Sequence, residues 1–238
     1  MGKTYFVTGT DTDAGKTVIT CGLLEAARLA GLTTLALKPV AAGCYKSEEG
    51  LRNDDALALM EAMTLSLPYE QVNPLVLEPP IAPHIAAAEA GVRMTLDRLA
   101  GYCRGALMNK NDLALIEGAG GWRVPLNSRE MISGLARELN TPVILVVGMK
   151  LGCINHALLT VEAILRDGVR LAGWVANQMD PDMNRYDENL QTLRGMIPAP
   201  CLGNVPFLKV GPVSTGLAMQ DNPDQSIVAK YLDISGLV

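Results

Sequence analysis

Near the start of the chain, residues 4–20 read TYFVTGTDTDAGKTVIT. Residues 4–8 are a run of β-branched and aromatic residues typical of a buried strand. The turn from Gly9 to Thr17 follows directly and opens into an apolar helix predicted over residues 16–30. Main-chain amides at such a helix start, with the positive end of the helix dipole, form a cradle for phosphate oxygens. The sequence therefore predicts a phosphate-binding turn at the first strand-to-helix junction.

This turn offers both a cation and a metal ligand to a bound nucleotide. The Lys16 ammonium can reach the β and γ phosphates of ATP, and the Thr17 hydroxyl can bind the Mg²⁺ that bridges them. Five residues rather than four separate Gly9 from Gly15, so the match to the usual phosphate-loop pattern is imperfect. An ordinary glycine-containing turn is the alternative, but strand, Gly-Lys-Thr and apolar helix occur together here. The residues expected around the nucleotide in this segment are Asp13, Ala14, Gly15, Lys16, Thr17 and Val18.

Short aliphatic runs alternate with longer stretches of helical period along the rest of the chain. This alternation predicts one α/β domain over residues 1–238 with a mostly parallel sheet. Together with the phosphate turn at the first strand-to-helix junction, it indicates a P-loop NTPase-type sheet with helices on both faces. A proline-rich segment, residues 68–83, is expected to be an irregular crossover, and residues after 211 a polar tail. The predicted strands are residues 4–8, 33–38, 113–117, 143–147, 171–177 and 201–205, and the predicted helices are residues 16–30, 54–63, 96–108, 132–139, 155–166, 185–196 and 226–232.

The composition limits the classes of partner. A net charge of −5 and the lack of any Lys/Arg-rich stretch argue against nucleic acid and against a membrane surface, so small molecules are the expected partners. No apolar run approaches the length of about 18 residues that a membrane span needs. The first residues lack the apolar core of a signal peptide. The five cysteines are scattered, so we expect neither disulfides nor zinc but reduced thiols in the cytoplasm.

Two acidic positions are candidate Mg²⁺ ligands, because Mg²⁺ prefers one or two carboxylates together with water and phosphate. Glu117 is predicted to end a strand, and the Gly118-Ala119-Gly120 segment behind it would let the backbone approach a ligand. An exposed loop acid is the alternative. Asp54 and Asp55 open a predicted helix, where we expect Asp54 to cap the helix and Asp55 to face the metal.

Two further positions follow predicted strands. Lys38 ends the second strand, and its ammonium could stabilise a phosphoryl group in transit, although many lysines at strand ends are only solvated. The segment from Gly152 to Asn155 leads into another helix, whose free amides could receive a substrate carboxylate; a simple loop capped by Asn155 fits as well. His84 and His156 lack partners at metal-ligand spacing, and we expect both to be structural.

Five motifs together resemble the dethiobiotin synthetase family, in the same order and with matching spacing. One such motif would be weakly informative, but five in order are highly specific. The similarity extends from residue 4 to about residue 208. The motifs are Gly-Thr-Asp-Thr-x-x-Gly-Lys-Thr at residues 9–17, Lys-Pro-Val-Ala at 38–41, Gly-Leu-Arg-Asn-Asp-Asp-Ala at 50–56, Glu-Gly-Ala-Gly-Gly-Trp at 117–122 and Gly-Cys-Ile-Asn-His at 152–156.

The resemblance implies a homodimer that uses ATP and Mg²⁺ to form dethiobiotin from 7,8-diaminopelargonate and CO₂ in biotin synthesis. A substrate amine forms a carbamate, ATP phosphorylates it, and the second amine attacks to expel phosphate. By motif, the residues at the reacting groups are Lys16, Lys38 and Thr12, and the metal ligands are Thr17, Asp55 and Glu117. The implied nucleotide contacts are Gly118, Ala119, Gly120, Asn177, Gln178, Pro206, Phe207 and Leu208, and the implied substrate contacts are Thr12, Ala42, Gly152, Cys153, Ile154 and Asn155.

The sequence departs from the family pattern at three positions. Ala42 stands where a serine is often found. Asn189 aligns with a tyrosine that reaches across the dimer to the substrate carboxylate, although Tyr186 lies one helical turn earlier. Gln178 replaces the acid that commonly follows the purine-reading asparagine. A related diamine acid therefore stays open as the substrate. Residues 177–180, NQMD, also resemble a guanine-recognition motif, so the choice of base rests on the family resemblance.

Two other P-loop classes are rival interpretations. Partitioning or site-selecting ATPases have the same predicted fold, but they carry an additional lysine early in the turn, where this chain has Thr10, Asp11 and Thr12. Their membrane-targeting members end in a basic amphipathic helix, whereas residues 221–238 are acidic. Amide-forming cobyrinate synthetases need a glutaminase domain, for which 238 residues leave no room.

Overall fold

The computed structural model describes residues 2–208 and 224–238. Its strands are β1 (Lys3–Gly9), β2 (Thr34–Leu37), β3 (Val40–Ala42), β4 (Tyr45–Ser47), β5 (Gly50–Arg52), β6 (Leu75–Leu77), β7 (Leu113–Gly121), β8 (Val143–Met149), β9 (Leu171–Gln178) and β10 (Cys201–Val205). Six of them form one sheet in the spatial order β10-β9-β8-β1-β7-β2, and every neighbouring pair is parallel. The predicted parallel sheet is therefore confirmed.

Helices cover both faces of this sheet, as the sequence predicted. Connections between parallel strands are right-handed, so the direction of a crossover fixes the face on which its helix lies. The crossover from β1 to β2 runs one way along the sheet, and those from β8 to β9 and from β9 to β10 run the other way. The helices of the described residues are α1 (Lys16–Leu29), α2 (Asp54–Ala62), α3 (Tyr69–Val72), α4 (Pro83–Glu89), α5 (Leu96–Leu107), α6 (Ser133–Glu138), α7 (Cys153–Arg166), α8 (Tyr186–Met196) and α9 (Gln225–Ala229).

The core lies between the central strands and the helices. β8 is buried at all seven positions, as expected for a strand covered on both faces. α1 buries Ile19, Leu23 and Ala27, which recur every fourth residue on one side of the helix. Ile19 and Leu23 each contribute about 2 kcal/mol when their side chains leave water. A Cβ on Gly22 of α1 would lie 2.4 Å from a methyl group of Val228, so glycine is what lets α9 cross α1 closely.

Some local elements differ from the expectation. The proline-rich segment over residues 68–83 is ordered: it contains α3 and β6, and β6 pairs in parallel with β3. β4 and β5 form a hairpin that the sequence did not predict. β7 does not end at Glu117 but continues to Gly121, which pairs with Gly9 of β1. The expected glycine loop is therefore the last part of a strand.

Two predicted helix caps are also corrected. Asn53, not Asp54, caps α2, because its side chain accepts the Ala56 amide at 3.2 Å. α7 begins at Cys153, two residues before Asn155, so Asn155 lies inside the helix and is not its cap. The last predicted helix is confirmed in shorter form as α9. Most of the predicted polar tail, up to residue 223, lies outside the described residues.

The topology identifies the edge of the sheet at which a ligand is expected, the one formed by the carboxyl ends of the strands. The crossovers change direction around β1, and ligands of open α/β sheets bind beyond the carboxyl ends of the strands at such a point. The segments that follow β1, β2, β8 and β9 all leave from this edge. In the described part of the chain, no helix is long and apolar enough to span a membrane.

Candidate functional site

The phosphate turn joins β1 to α1 through an unusual backbone conformation. Asp13 and Gly15 have positive φ values of 59° and 82°, and Gly15 directly precedes α1. A Cβ on Gly15 would lie 2.0 Å from Nδ2 of Asn177, so a larger residue does not fit between the turn and β9. Lys16 is buried, and its Nζ donates to the main-chain oxygen of Asp11 at 3.3 Å. The ammonium is therefore folded over the turn in which a triphosphate would lie.

Four polar side chains from four parts of the chain meet beside the turn. Lys38, just after β2, donates from Nζ to Oδ2 of Asp55 at 2.7 Å and to Oε1 of Glu117 at 2.6 Å. Thr17, in the first turn of α1, donates its hydroxyl to the same Glu117 oxygen at 2.9 Å. Glu117 is fully buried in β7, and its Oε2 has no hydrogen-bond partner among the described residues. The structure thus brings the predicted Thr17, Asp55 and Glu117 together with Lys38.

Burial and mutual attraction set the protonation of this cluster. Burial acts to lower the pKa of Lys38, but the carboxylates of Glu117 and Asp55 outweigh it and raise the pKa above 10.5. Burial acts to raise the pKa of Asp55, but the Lys38 ammonium, the Thr17 hydroxyl and the Lys16 ammonium hold it below 3.8. Burial and then repulsion from Lys38 lower the pKa of Lys16. At neutral pH Lys38 and Asp55 are therefore both charged.

The donor set fits Mg²⁺. Thr17, Asp55 and Glu117 offer hydroxyl and carboxylate oxygens, and Oε2 of Glu117 is a buried acceptor without a donor. Within residues 2–208 and 224–238, no group of three or more His, Cys, Asp or Glu side chains could hold a metal by itself. A cation at this cluster would need further oxygens from phosphate and water, and Mg²⁺ in nucleotide sites is bound in this way.

Thr12 lies at the exposed tip of the turn and faces the end of β7. A Cβ on Gly120, which has a φ of +63°, would lie 3.6 Å from Oγ1 of Thr12. A Cβ on Gly118 would lie 2.9 Å from the ring of a core phenylalanine. The small residues of the Gly118-Ala119-Gly120 segment therefore allow β7 to pass close to the turn and to the core, with the Thr12 hydroxyl beside its carboxyl end.

The residues predicted to recognise the base lie at the ends of β9 and β10. Asn177 is buried, and its Nδ2 donates to the main-chain oxygen of Ala14 at 3.0 Å. Oε1 of Gln178 accepts the amide of Phe207 at 3.2 Å, which ties the Pro206-Phe207-Leu208 segment to β9. The structure therefore brings these residues to one side of the phosphate turn.

The predicted carboxylate site lies at the start of α7. Gly152 has a φ of +94° and precedes the helix, with open space where its Cβ would be. The Cys153 amide already donates to the main-chain oxygen of Lys150 at 2.9 Å. Ile154 and Asn155 follow in the first turn of the helix, where amides have no acceptor within the helix. The exposed amides of this segment are therefore fewer than the sequence suggested.

Neither histidine belongs to the polar cluster of Thr17, Lys38, Asp55 and Glu117. His84 lies on α4, and its Nδ1 is buried without a partner among the described residues. It lines a cavity of about 630 Å³ between α4 and the loop after β7, which no predicted site residue lines. His156 lies in the first turns of α7, where its backbone amide donates to the Gly152 oxygen.

Comparison with known proteins identifies the family. Residues 3–211 match the family described as an AAA domain. The ATP-dependent dethiobiotin synthetase of Cellvibrio japonicus is 59% identical over 219 residues, which cover 92% of this chain and 96% of that protein. The ATP-dependent dethiobiotin synthetase of Aeromonas salmonicida is 47% identical over 238 residues, which cover 100% of both chains. The chain belongs to the dethiobiotin synthetase family.

Solved structures similar to this dethiobiotin synthetase family member share its fold. The MinC:MinD cell division protein complex of Aquifex aeolicus aligns with a TM-score of 0.54 and 13% identity, over 86% of this chain and 81% of that chain. A ParA family ATPase of Chlorobium tepidum aligns with a TM-score of 0.53 and 12% identity, over 88% of this chain and 86% of that chain. At these identities the likeness shows the P-loop NTPase fold alone.

The three departures from the dethiobiotin synthetase pattern can now be placed. Ala42 is partly buried at the end of β3, and Gln178 makes the contact with Phe207 described above. Asn189, on α8, donates to the main-chain oxygen of Arg185 at 2.7 Å. Tyr186 is half-buried and donates its hydroxyl to the Asn204 side chain within the chain, and burial raises its pKa to about 12. Tyr186 is therefore not directed outward to replace the missing tyrosine.

One ion pair at this edge of the sheet was not predicted from the sequence. Lys150, the residue after β8, donates from Nζ to Oδ2 of Asp11 at 2.8 Å. Beside this pair, the Gly148 amide donates to Oγ1 of Thr10 at 3.2 Å. The positions of Asp11 and Lys150 in the sequence could have indicated this contact. Each residue follows the carboxyl end of a strand, β1 or β8, and the carboxyl ends of parallel strands meet at one edge of the sheet.

Proposed function

We propose that this chain acts as one P-loop domain over residues 1–238 and closes the ureido ring of dethiobiotin from 7,8-diaminopelargonate, CO₂ and ATP. Its family consists of ATP-dependent synthetases, so the chain is a ligase of biotin synthesis. The observation that carries the proposal is the cluster of Thr17, Lys38, Asp55 and Glu117 beside the phosphate turn.

The proposed reaction has three steps. A substrate amine adds to CO₂ and loses a proton, which gives a carbamate. A carbamate oxygen then attacks the γ-phosphorus of ATP, ADP leaves, and a mixed anhydride of carbamate and phosphate forms. Finally the second amine attacks the carbamate carbon, the bond from that carbon to the phosphate oxygen breaks, and phosphate leaves as the ring closes. The phosphate therefore carries away one oxygen of the carbamate.

Lys16 and Lys38 supply positive charge where negative charge moves during phosphoryl transfer. Such transfers are accelerated mainly by positioning and by charge fixed in advance around the phosphoryl oxygens. The Lys16 ammonium is already folded over the turn, and Lys38 is held at its edge by two carboxylates. We assign Thr12, beside Gly120, to the carbamate, and Ala42 to the wall of the substrate site.

Thr17, Asp55 and Glu117 are proposed to hold Mg²⁺. The support is the buried, unpartnered Oε2 of Glu117 together with the other oxygens of the cluster. Bound there, Mg²⁺ would neutralise charge on the β and γ phosphates. If these carboxylates bound a cation, they would hold Lys38 less strongly, and its ammonium would be available to phosphoryl oxygens.

ATP recognition is assigned to three segments around the turn. The phosphates would contact Asp13, Ala14, Gly15 and Val18 through main-chain amides, and the Gly118-Ala119-Gly120 segment would pass beside them. The adenine base would lie against Asn177, Gln178 and the residues Pro206, Phe207 and Leu208. The 39% exposure of Phe207 supports this assignment, because an exposed ring tied to the end of β9 can pack against a base.

A homodimer in the cytoplasm is the proposed working form. Leu151 is 94% exposed beside the start of α7 and Leu159 is 56% exposed on the helix. We assign this face to the interface because both side chains lie on the segment that carries the proposed carboxylate site, and neighbouring exposed apolar side chains can form part of a protein interface. The amides of Gly152, Cys153, Ile154 and Asn155 would bind the substrate carboxylate at this interface. The cytoplasmic location is supported by the free thiols of all five cysteines.

The test is whether ATP turnover depends on the diamine. Purified protein with ATP, Mg²⁺ and bicarbonate should release phosphate only when 7,8-diaminopelargonate is present, in equal amount to dethiobiotin. A partitioning ATPase would hydrolyse ATP without the diamine, and that result would reject the proposal. Parallel reactions with related diamine acids, and with GTP or CTP in place of ATP, measure the preference for substrate and base.

A further inference from the structure

An ion pair joins the phosphate turn to the loop between β8 and α7. Nζ of Lys150 and Oδ2 of Asp11 are 2.8 Å apart, and the two side chains are 44% and 40% exposed. The main-chain oxygen of Asp11 also accepts Nζ of Lys16 at 3.3 Å. Asp11 therefore contacts two ammonium groups: its main-chain oxygen accepts from Lys16, and its carboxylate accepts from Lys150.

The carboxylate of Asp11 lies in a turn whose main-chain amides and Lys16 attract anions. Helix-start amides and Lys16 favour a triphosphate there, whereas a bare carboxylate in the same turn would repel it. The hydrogen bond from Lys150 outweighs the effect of burial and holds the pKa of Asp11 below 3.8. The carboxylate is therefore ionised at neutral pH and needs a compensating charge.

Lys150 is also fixed through its backbone. Its main-chain oxygen accepts the Cys153 amide at 2.9 Å, the contact that begins α7. Nearby, the Gly148 amide donates to Oγ1 of Thr10 at 3.2 Å. The loop is thus attached to the turn at Thr10 and Asp11, and the same loop leads into the proposed carboxylate site.

We propose that Lys150 is a positioning residue that neutralises Asp11 and fixes the phosphate turn against the loop, so that the turn can accept a triphosphate. In this role the ammonium of Lys150 acts on the nucleotide through Asp11 and not by direct contact. The kinetic part of the inference rests on the proposed function, whereas the binding part requires only that the turn binds ATP.

A double-mutant cycle tests this role by calorimetric titration with a non-hydrolysable ATP analogue and Mg²⁺. Lys150→Met should weaken binding about fivefold or more at low salt, because Asp11 is left uncompensated. Asp11→Asn should change the Kd by less than about twofold, and the double variant should bind within about twofold of the wild type. The loss in Lys150→Met should shrink at high salt, because exposed charges are screened.

Matched variants and kinetics separate this role from others. Arg104→Met is the control, because its ion pair with Glu138 is also 2.8 Å long and similarly exposed but lies outside the turn; its Kd should equal that of the wild type. Lys150→Arg keeps the charge and should retain binding. In the diamine-dependent assay, Lys150→Met should raise the KM for ATP more than it lowers kcat.

Three outcomes would overturn the inference. Lys150→Met could bind the analogue as tightly as the wild type. The double variant could bind as weakly as Lys150→Met, which would show that Lys150 contacts the ligand itself. Arg104→Met could weaken binding to the same extent. A wild-type protein that binds the analogue but makes no dethiobiotin would reject the proposed function and leave the binding result intact.

Discussion

Lys38 is the residue on which the polar cluster most depends. Its side chain is 5% exposed, and it pairs with Glu117, which is 0% exposed, and with Asp55, which is 33% exposed. Breaking a buried ion pair by removing one partner costs about 3–5 kcal/mol, because the other charge stays buried and unpaired. An exposed pair contributes less than about 1 kcal/mol. Lys38 therefore has a structural role in addition to its proposed role in phosphoryl transfer.

Replacing Lys38 should cost both stability and activity. Lys38→Met should lower the free energy of unfolding by about 3 kcal/mol in urea denaturation, because Glu117 keeps a buried charge. Mg²⁺ should restore part of this loss by binding the same oxygens. Lys46→Met is the control, since its pair with Glu78 lies on the surface with 77% and 55% exposure. Equal losses in the two variants would contradict the special role of Lys38.

Asp55 should make the stability depend on pH in the acid range. Its folded pKa lies below 3.8, so its ionised form stabilises the fold above about pH 4 and this contribution is lost as the pH falls through the folded pKa. The wild type should therefore melt at a higher temperature than Asp55→Asn. This difference in melting temperature should be largest near neutral pH and should narrow below about pH 4. A gap that stays constant or widens on acidification would show that Asp55 is not held ionised.

At the scale of elements, Gly15 shows how the turn and β9 fit together. Gly15 and Gly31 lie at the two ends of α1 and have nearly the same φ, 82° and 81°. A Cβ on Gly15 would meet the Asn177 side chain at 2.0 Å, whereas a Cβ on Gly31 would have nothing within 4 Å. Substitution at Gly31 therefore reports backbone strain alone, whereas substitution at Gly15 reports backbone strain together with close packing.

Alanine at these two glycines should have different consequences. Gly31→Ala should lower the free energy of unfolding by about 1 kcal/mol, the cost of a left-handed conformation with a Cβ. Gly15→Ala should cost more and should also weaken nucleotide binding, because Asn177 must move away from the turn. Thermal melting and ATP-analogue titration measure the two effects. Equal stability and unchanged binding in both variants would mean that Asn177 does not support the turn.

The sequence predicted the long elements well, because their periodicity extends over enough residues to be recognised. It missed α3, β3, β4, β5 and β6, since elements of three or four residues show no period, and it also missed the seven-residue α4. The end of β7 was taken for a loop because glycines are rare in strands; it is a strand because Gly9 of β1 pairs with Gly121. These short pairings depend on tertiary contacts that a single sequence does not display.

At the site, the sequence predicted which residues carry the polar groups but not which of those residues contact one another. Thr17 and Lys38 could be predicted because Thr17 opens a helix and Lys38 follows a recognisable strand, and Glu117 because it closes the aliphatic run that begins β7. That Lys38 lies between two carboxylates, and that Lys150 binds Asp11, depends on side-chain directions across the sheet edge. Asp54 was predicted to cap α2 because acids are common at helix starts, but Asn53, one residue earlier, accepts the Ala56 amide and caps the helix.

At the scale of the whole molecule, the proposed homodimer predicts what an interface charge would do. Leu159→Lys, on α7, should convert a dimer to a monomer in light-scattering measurements. It should lower dethiobiotin formation but leave the Kd for an ATP analogue within about twofold, because the phosphate turn is built by one chain. Leu29→Lys is the control, since Leu29 is 65% exposed at the end of α1. A monomeric variant with full activity would contradict an active site at the interface.

In the proposed reaction, the γ-phosphoryl group of ATP is transferred to a carbamate oxygen and leaves as phosphate during ring closure. The most direct measurement supplies C¹⁸O₂, ATP and the diamine, and quenches the reaction before CO₂ exchanges oxygen with water. We expect one ¹⁸O atom in each phosphate released and one dethiobiotin for each phosphate. Phosphate without ¹⁸O, or phosphate released without dethiobiotin, would contradict it.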